Sequence, residues 1–379
     1  MHALTLHGHL IGRQGSRRDL NTPALIVDLD ALDLNIAEMA KRAAARGVAL
    51  RPHAKTHKSV EIARRQIAAG AVGVCCAKLG EAEALADGGI ENILITSPVG
   101  GGPAVERLAA LAKRSPGLMA VADHPNAVAA ISAAFAAADE AIGLLVDIDP
   151  GIHRTGVASV GAAVELAREI DAAPGLAFAG VQFYCGAQQH IEAYADRRAA
   201  IIERTGYLTG VVEALTAAGL PPAIVTGGGT GTHAIDLELG VFTELQTGSY
   251  VFMDRQYRDC EPAPGAAWFE TALMVDARVI SANHRRLATV DAGFKAFATD
   301  GGPPRVIAGA PEGSAFHFMG DEHGCVVPPD DAPPPELGEV VTFAVPHCDP
   351  TVNLYDAYHL VRGDTLVDIW PIQARGRTA

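Results

Sequence analysis

The chain of 379 residues is informative first for what it lacks. No apolar run approaches the ~18 residues of a membrane-spanning helix, so no membrane role is expected. Basic residues are the minority: 30 Lys and Arg stand against 44 Asp and Glu, a net charge of −14, which argues against a nucleic-acid surface. Cysteine is sparse, with six in the whole chain, too scattered for a disulfide framework. Cys75 and Cys76 lie in the run Gly73–Ala77 and read as small buried strand residues. Cys185, Cys260, Cys325 and Cys348 read as reduced thiols of a cytoplasmic protein. The first twenty residues mix His, Arg and Gly with short apolar pieces and make a poor signal peptide. Low-complexity sequence is absent apart from an acidic, Pro-rich turn at 328–336.

What is present fits a large soluble core, with 49% hydrophobic and 20% charged residues. Residues 24–28 read as a strand, and Asp30 as the N-cap of a helix over 31–46 that ends at Gly47. Leu32, Ile36, Met39 and Ala43 share one face of that helix. Short apolar runs follow at 48–50, 73–76, 93–95, 118–121, 143–147, 178–183, 223–226 and 242–245. Between them lie Ala- and Glu-rich segments of helical period, among them 103–114, 124–138, 160–172 and 191–217. Such alternation implies a parallel sheet, and the strands that precede helices number about eight. The expected fold is α/β: a (β/α)8 TIM-like barrel over 22–255, followed by a C-terminal β-sheet domain over 256–379 joined by 1–21. The second domain is read from β-rich pieces at 270–281, 286–291, 339–345 and 366–370, with turns at 300–304 and 328–336.

Five stretches carry candidate chemistry. Arg51-Pro52-His53-Ala54-Lys55-Thr56-His57-Lys58 follows a short strand, and barrel enzymes keep their chemistry at strand C-termini. Lysine there suits condensation with a carbonyl compound such as pyridoxal phosphate; the plain alternative is a solvated basic turn. Gly227–Thr232 follows the strand at 223–226 and offers backbone amides and hydroxyls as a phosphate cup, or else is a flexible turn. Arg154, in the turn after 143–147, suits a phenolate or carboxylate oxygen, or else pairs with Asp147 or Asp149. Tyr184 is placed to contact a cofactor ring and His190 to move protons near neutral pH, although a lone His is more often structural. His347-Cys348-Asp349 reads as strand, in which His347 and Asp349 face one side and reach one metal ion while Cys348 points away.

Taken together these stretches resemble the D-threonine aldolase family of alanine-racemase-like, fold type III pyridoxal-phosphate enzymes, from about Thr22 to Arg377 and in the same order. The matching stretches include Thr22–Leu29, Arg51–Lys58, Val74–Lys78, Arg154–Gly156, Phe178–Gln182, Gly227–Thr232, Thr243–Tyr250, Asp291–Gly293, Asp321–Gly324 and His347–Pro350. The resemblance implies pyridoxal 5'-phosphate on Lys55, with Arg154, Tyr184, Thr226, Gly228, Gly229, Thr230 and Tyr250 around it, His190 as proton acceptor, and a divalent metal on His347 and Asp349. Mn²⁺ is the expected ion, with Mg²⁺, Co²⁺ and Zn²⁺ as alternatives. The implied reaction is retro-aldol cleavage of a D-β-hydroxy-α-amino acid to glycine and an aldehyde, in a cytoplasmic homodimer. Ala77, where the family commonly has glutamine, departs from the pattern, and Cys348 stands closer to the hydroxyaspartate aldolase branch. Related D-serine dehydratases use a cysteine as a zinc ligand. A 3-hydroxy-D-aspartate aldolase, a D-serine or D-hydroxyaspartate dehydratase and a non-catalytic pyridoxal-phosphate carrier are the competing expectations.

Overall fold

The structure is a computed structural model that describes residues 2–330 and 332–379; Met1 and Asp331, expected in the N-terminal segment and the 328–336 turn, lie outside the described residues. Two compact units divide the chain. One comprises Ala37–Gly248, Cys260–Ala267 and Gly376–Ala379; the other Met1–Ile36, Ser249–Asp259 and Trp268–Arg375. Strand β1 (Ala24–Asp28) lies in the latter.

The larger unit is an eight-stranded parallel sheet of β2 (Ala49–Leu50), β3 (Val74–Cys76), β4 (Ile93–Ile95), β5 (Met119–Ala122), β6 (Ile142–Ile148), β7 (Leu176–Phe183), β8 (Ile224–Gly227) and β9 (Glu244–Leu245). Their spatial order is β2-β9-β8-β7-β6-β5-β4-β3. The two ends of that order meet at a parallel bridge between His53 and Cys75, with the Val72 amide donating to the Leu50 carbonyl and the Cys75 amide to the Pro52 carbonyl, each at 2.8 Å. The sheet therefore closes into a barrel. Cys75, Leu94, Val121 and Leu145, one from each of β3 to β6, form a fully buried apolar cluster, the layered filling of a barrel interior. The parallel strands alternate with helices such as Val60–Ala68 and Val160–Ala172, whose first turns are capped by Ser59 and Ser159 hydroxyls accepting from Ile62 and Ala162 amides. In β7 the register slips between Phe178 and Gly180, and Gly180 is required there: a Cβ would sit 1.9 Å from the Ile224 carbonyl oxygen.

The other unit is a nine-stranded mixed sheet of β1 with β10 (Leu273–His284), β11 (Leu287–Val290), β12 (Arg305–Ala308), β13 (Ala315–Phe318), β14 (Gly324–Val327), β15 (Val340–Ala344), β16 (Ala357–Arg362) and β17 (Thr365–Pro371). Here the expected boundaries give way. The count of eight barrel strands holds, but the run at 24–28 is not among them: β1 pairs antiparallel with β10 and parallel with β16. The place in the barrel goes to β9, which no barrel helix follows. Ala24, Leu25, Ile26 and Val27 are all buried, so β1 has the continuous apolar run of a parallel barrel strand although it belongs to a mixed sheet. Its Ala24 and Ile26 pack with Met274, Val361, Leu366 and Ile369. Residues 22–36 and 249–255 thus belong with the β-unit rather than with the barrel.

Two buried histidines join the N-terminal segment of this unit to its sheet. The His7 Nε2 accepts from the Asn21 amide at 3.0 Å, so its Nδ1–H donates to His359 Nε2 at 2.9 Å, and His359 Nδ1–H donates to the Leu25 carbonyl at 3.3 Å. Every nitrogen is used only while both rings are neutral. Burial, then the neighbouring His7, pushes His359 down to about 4, and burial followed by His9 and His2 lowers His7. A folded-state value below the unfolded 6.5 means that the pair's contribution is intact above pH 6.5 and is lost as pH falls toward 4, up to about 3 kcal/mol for His359. Buried Asp147, Asp236 and Asp254 carry raised values and oppose that trend, so the readout must be a difference. The stability gap between wild type and His359→Gln, measured by urea unfolding, is expected to shrink by a few kcal/mol between pH 7 and pH 4.5; a gap independent of pH contradicts the assignment.

Candidate active site

Parallel strands leave all their C-terminal ends on one rim of the barrel, and the turns that begin there carry most of the candidate residues. After β2 the chain enters a 3-10 turn at Ala54–Thr56. Residues 51–60 are buried with one exception, Lys55, which is half-buried. That excludes the solvated basic turn. Its ammonium stands 5.8 Å from the centre of the Tyr184 ring, and the Arg154 guanidinium stands 5.8 Å from the same ring. Lys58, the rival lysine, is committed elsewhere: its ammonium donates to Glu81 Oε1 at 2.7 Å in a buried pair, while Glu81 Oε2 accepts from the Ala77 and Lys78 amides. Beneath Lys55, His53 Nδ1 accepts from the Lys55 amide at 3.4 Å, and its Nε2–H donates to the Thr96 hydroxyl at 3.1 Å. Burial, then the charges of Lys55, His57 and Arg154, holds His53 well below its ordinary range and so neutral.

Arg154 makes no ion pair among the described residues, because both expected partners are occupied. Asp149 Oδ1 accepts from the amides of Gly151, Ile152 and His153 at 2.8, 3.0 and 3.1 Å, and its Oδ2 accepts from His153 Nδ1 at 2.7 Å. Asp147 accepts from the Gln182 amide at 2.9 Å and the Thr155 hydroxyl at 2.7 Å, and burial pushes it up to about 6 against those bonds. Asp123 takes the Gly156 amide at 2.9 Å. Three carboxylates thus shape the turn 149–156, and Arg154 in that turn is exposed. Gln182 carries this network across the barrel, accepting from Gln246, which also donates to the Thr226 hydroxyl at 3.1 Å. Thr226 is fully buried.

The glycine turn after β8 is not flexible. Residues 225–233 are all buried. Nor are all its donors open, as the phosphate-cup expectation had them: the Gly229 amide donates to the Thr232 hydroxyl, the Gly231 amide to Gln189, and the Thr232 hydroxyl to Asp236 at 2.6 Å. Burial lifts Asp236 to about 7 in spite of those bonds. Thr230 is buried, and its carbonyl accepts from His233 Nδ1. The Gly228 amide is buried and has no hydrogen-bond partner among the described residues; its φ of 67° suits glycine. Buried hydroxyls of Thr56 and Thr247 are likewise unpartnered among the described residues. His190 is exposed, in the turn that leads from β7 to the helix Tyr194–Ala217.

Tyr250, His347 and Asp349 belong to the β-unit. Tyr250 is 1% exposed in the turn Ser249–Val251, its ring edge-on to Phe269 at 5.5 Å. The stretch at His347 is not strand: β15 ends at Ala344, and His347 precedes a short helix, Cys348–Val352, whose first turn holds Asp349. His347 stands at the N-cap of this helix and Asp349 in its first turn, so the two are not related by strand alternation. His347 Nδ1 lies 2.7 Å from Asp300 Oδ2. Asp254, fully buried, accepts from the Cys348 amide at 2.9 Å and the Tyr257 amide at 3.2 Å, and burial lifts it to about 6. Burial also pushes the Cys348 thiol well up. No group of three or more His, Cys, Asp and Glu among the described residues could hold an ion by itself.

Residues 27–256 match the alanine racemase N-terminal domain, and 272–361 match a serine dehydratase domain. The chain belongs to the alanine racemase N-terminal domain family, a family that implies pyridoxal phosphate. A 3-hydroxy-D-aspartate aldolase of Paracoccus denitrificans (strain Pd 1222) is 39% identical, over 95% of this chain and 93% of its own. The solved D-threonine aldolase from Filomicrobium marinum has 41% identity and a TM-score of 0.92, covering 96% of this chain and 97% of that one. A D-threo-3-hydroxyaspartate dehydratase of Delftia sp. (strain HT23) is 32% identical, over 93% of this chain and 97% of its own. By its aldolase relatives the chain is a carbon–carbon lyase of the D-threonine aldolase type.

Sequence reasoning did not single out Gln189, Asp236, Gln182, Asp254 or Asp300. The cues were slight: Gln189 lies beside His190, Asp236 just past the glycine run and Gln182 at the end of the matched stretch Phe178–Gln182, while Asp254 and Asp300 carried none. Asp149→Ala removes the acceptor of three amides, and is expected to lower stability by about 1–3 kcal/mol in urea unfolding. Exchange of the 151–153 amides should also speed up sharply in hydrogen-exchange mass spectrometry. Unchanged exchange there contradicts the account of the turn.

Proposed function

We propose that this chain cleaves D-β-hydroxy-α-amino acids of the D-threonine type to glycine and an aldehyde, with pyridoxal phosphate on Lys55 and a divalent ion on His347 and Asp349. The observation that carries the reading is Lys55 itself, the one residue of 51–60 that is not buried, set with Arg154 against a single tyrosine ring. The residues fit the cofactor: two cations for its anionic oxygens, an amine for its aldehyde, and an unpartnered buried amide at Gly228 for its phosphate. Donor chemistry at His347 and Asp349 also fits an ion whose sphere is completed by water and substrate. With His347 Nδ1–H given to Asp300, the Nε2 lone pair is the one directed to a metal, the usual carboxylate–histidine arrangement.

Bound pyridoxal phosphate supplies the electron sink for the bond that breaks, and the ion supplies Lewis-acid chemistry toward a hydroxyl. Lys55 would hold the cofactor through its aldehyde, as the one half-buried side chain of its turn. Arg154, fixed by the carboxylates beneath its turn, holds an anionic oxygen of cofactor or substrate. Tyr184 would contact the cofactor ring, and Thr226, Gly228, Gly229 and Thr230 belong to the turn that would hold its phosphate. Tyr250, buried in the β-unit, is proposed as a further cofactor contact. His190 accepts the proton of the β-hydroxyl, which retro-aldol cleavage requires in place of the Cα proton. We extend the reading to a homodimer, which light scattering checks directly.

Dehydration is the second reading, favoured by the dehydratase relative. Cys348 speaks for the aldolase: its thiol is fully buried, whereas Asp349 is half-buried and offers an oxygen to an ion. Incubation with D-threonine is expected to yield acetaldehyde and glycine. Formation of 2-oxobutyrate and ammonia establishes the dehydratase, and no turnover on a panel of D-β-hydroxy amino acids leaves only a cofactor carrier.

Prolonged dialysis against EDTA should abolish cleavage while the visible band of lysine-bound cofactor survives, and Mn²⁺ should restore activity. Full activity in excess EDTA contradicts the metal assignment.

A further inference from the structure

Gln189 is 1% exposed and has no part in the chemistry above. All the polar capacity of its side chain points into the glycine turn and its approach. Its Oε1 accepts from the Gly231 amide at 3.0 Å; its Nε2 donates to the Thr232 hydroxyl at 3.0 Å and to the Cys185 carbonyl at 3.3 Å. Gln189 also explains two of the glycines. A Cβ on Gly229 would lie 2.4 Å from Gln189 Oε1 and 2.6 Å from its Cδ, and one on Gly231 would lie 2.0 Å from the Gln189 carbonyl oxygen. Gly229 and Gly231 are therefore glycines because Gln189 fills the space over them, not because a ligand must approach. Gly228 differs, since it combines a left-handed φ with the amide that no described residue takes.

We infer that Gln189 is the positioning residue that shapes Gly227–Thr232 into an anion cup. Short glycine turns satisfy their own amides when left alone. By accepting the Gly231 amide and occupying the Thr232 hydroxyl, Gln189 ties up the competing partners and leaves the Gly228 amide open to a phosphate oxygen. Because Gln189 also bonds to the Cys185 carbonyl, it ties the cup to the turn that bears Tyr184. The inference rests on the reading of this turn as the cofactor's phosphate site.

The test compares pyridoxal phosphate with pyridoxal, which lacks the phosphate, by titrating the cofactor-depleted full-length protein and following the visible band. Wild type is expected to prefer the phosphorylated form by roughly 100-fold or more. Gln189→Glu keeps the volume and the acceptor for Gly231 but loses both donated bonds, and it should cut that preference about tenfold with pyridoxal affinity unchanged. Gln189→Ala should do the same. Gly229→Ala should also cut it in the wild-type background yet cost little more on top of Gln189→Ala, since the side chain it strikes is gone. A wild type without preference overturns the phosphate reading of the turn. A wild type with preference, joined to Gln189→Glu and Gln189→Ala variants that keep it or that lose both ligands equally, overturns the role of Gln189. Additive losses in the double variant overturn it too. If Gln189→Ala does not fold, the Gln189→Glu comparison decides.

Discussion

Everything at the rim depends on how a two-residue strand is held. β2 contributes only Ala49 and Leu50 to its ladder with β9, far too little for an edge that must also meet β3. The closure is completed by a buried pair: Arg51 Nε and Nη2 donate to Glu244 Oε1 and Oε2 at 3.0 and 3.2 Å, and Arg51 also reaches the Asn92 carbonyl. A bidentate guanidinium–carboxylate pair with both partners about 95% buried tolerates little displacement, and removal of one partner would leave an uncompensated buried charge. The backbone then continues to bond on both sides, His53 to the Thr247 carbonyl and Cys75 to the Pro52 carbonyl. Lys55 leaves this clamp two residues later, so its position follows from barrel closure rather than from a free loop.

The same economy governs the charges around it. In a chain of net charge −14, cations offered to a ligand would ordinarily be neutralised by neighbouring carboxylates. The nearby acids are instead spent on backbone: Asp149 on three amides, Asp123 on one, Glu81 on Lys58 and two amides. Asp147 and Asp236, buried deeper, are pushed toward their neutral forms. The acids beside Arg154 are thus accounted for, and its guanidinium makes no ion pair among the described residues. This is the electrostatic arrangement an anionic cofactor requires, built without a basic surface.

Much of this was legible in the sequence, for reasons that can be stated. Helix periodicity and short apolar runs carry the barrel because each strand is buried on both faces. The same property misplaces β1, whose run is equally apolar in a mixed sheet; pairing partners are not encoded in hydrophobicity. Lys55 stood out through its position after a strand, and Arg154 through its turn. The stretch 347–349 reads as strand in the sequence because two-residue periodicity cannot be judged over three residues. Gln189 was out of reach: glycine runs suggest ligand approach, and only coordinates show that a glutamine fills the space instead.

The central claim is that Lys55, rather than Lys58 or Lys78, binds the cofactor. Reduction of the cofactor-loaded protein with borohydride, digestion, and mass mapping of the modified peptide tests it most directly. The account predicts the pyridoxyl adduct on Lys55, with Lys58 protected by Glu81. An adduct on Lys58 or Lys78 in protein that is otherwise folded would contradict it.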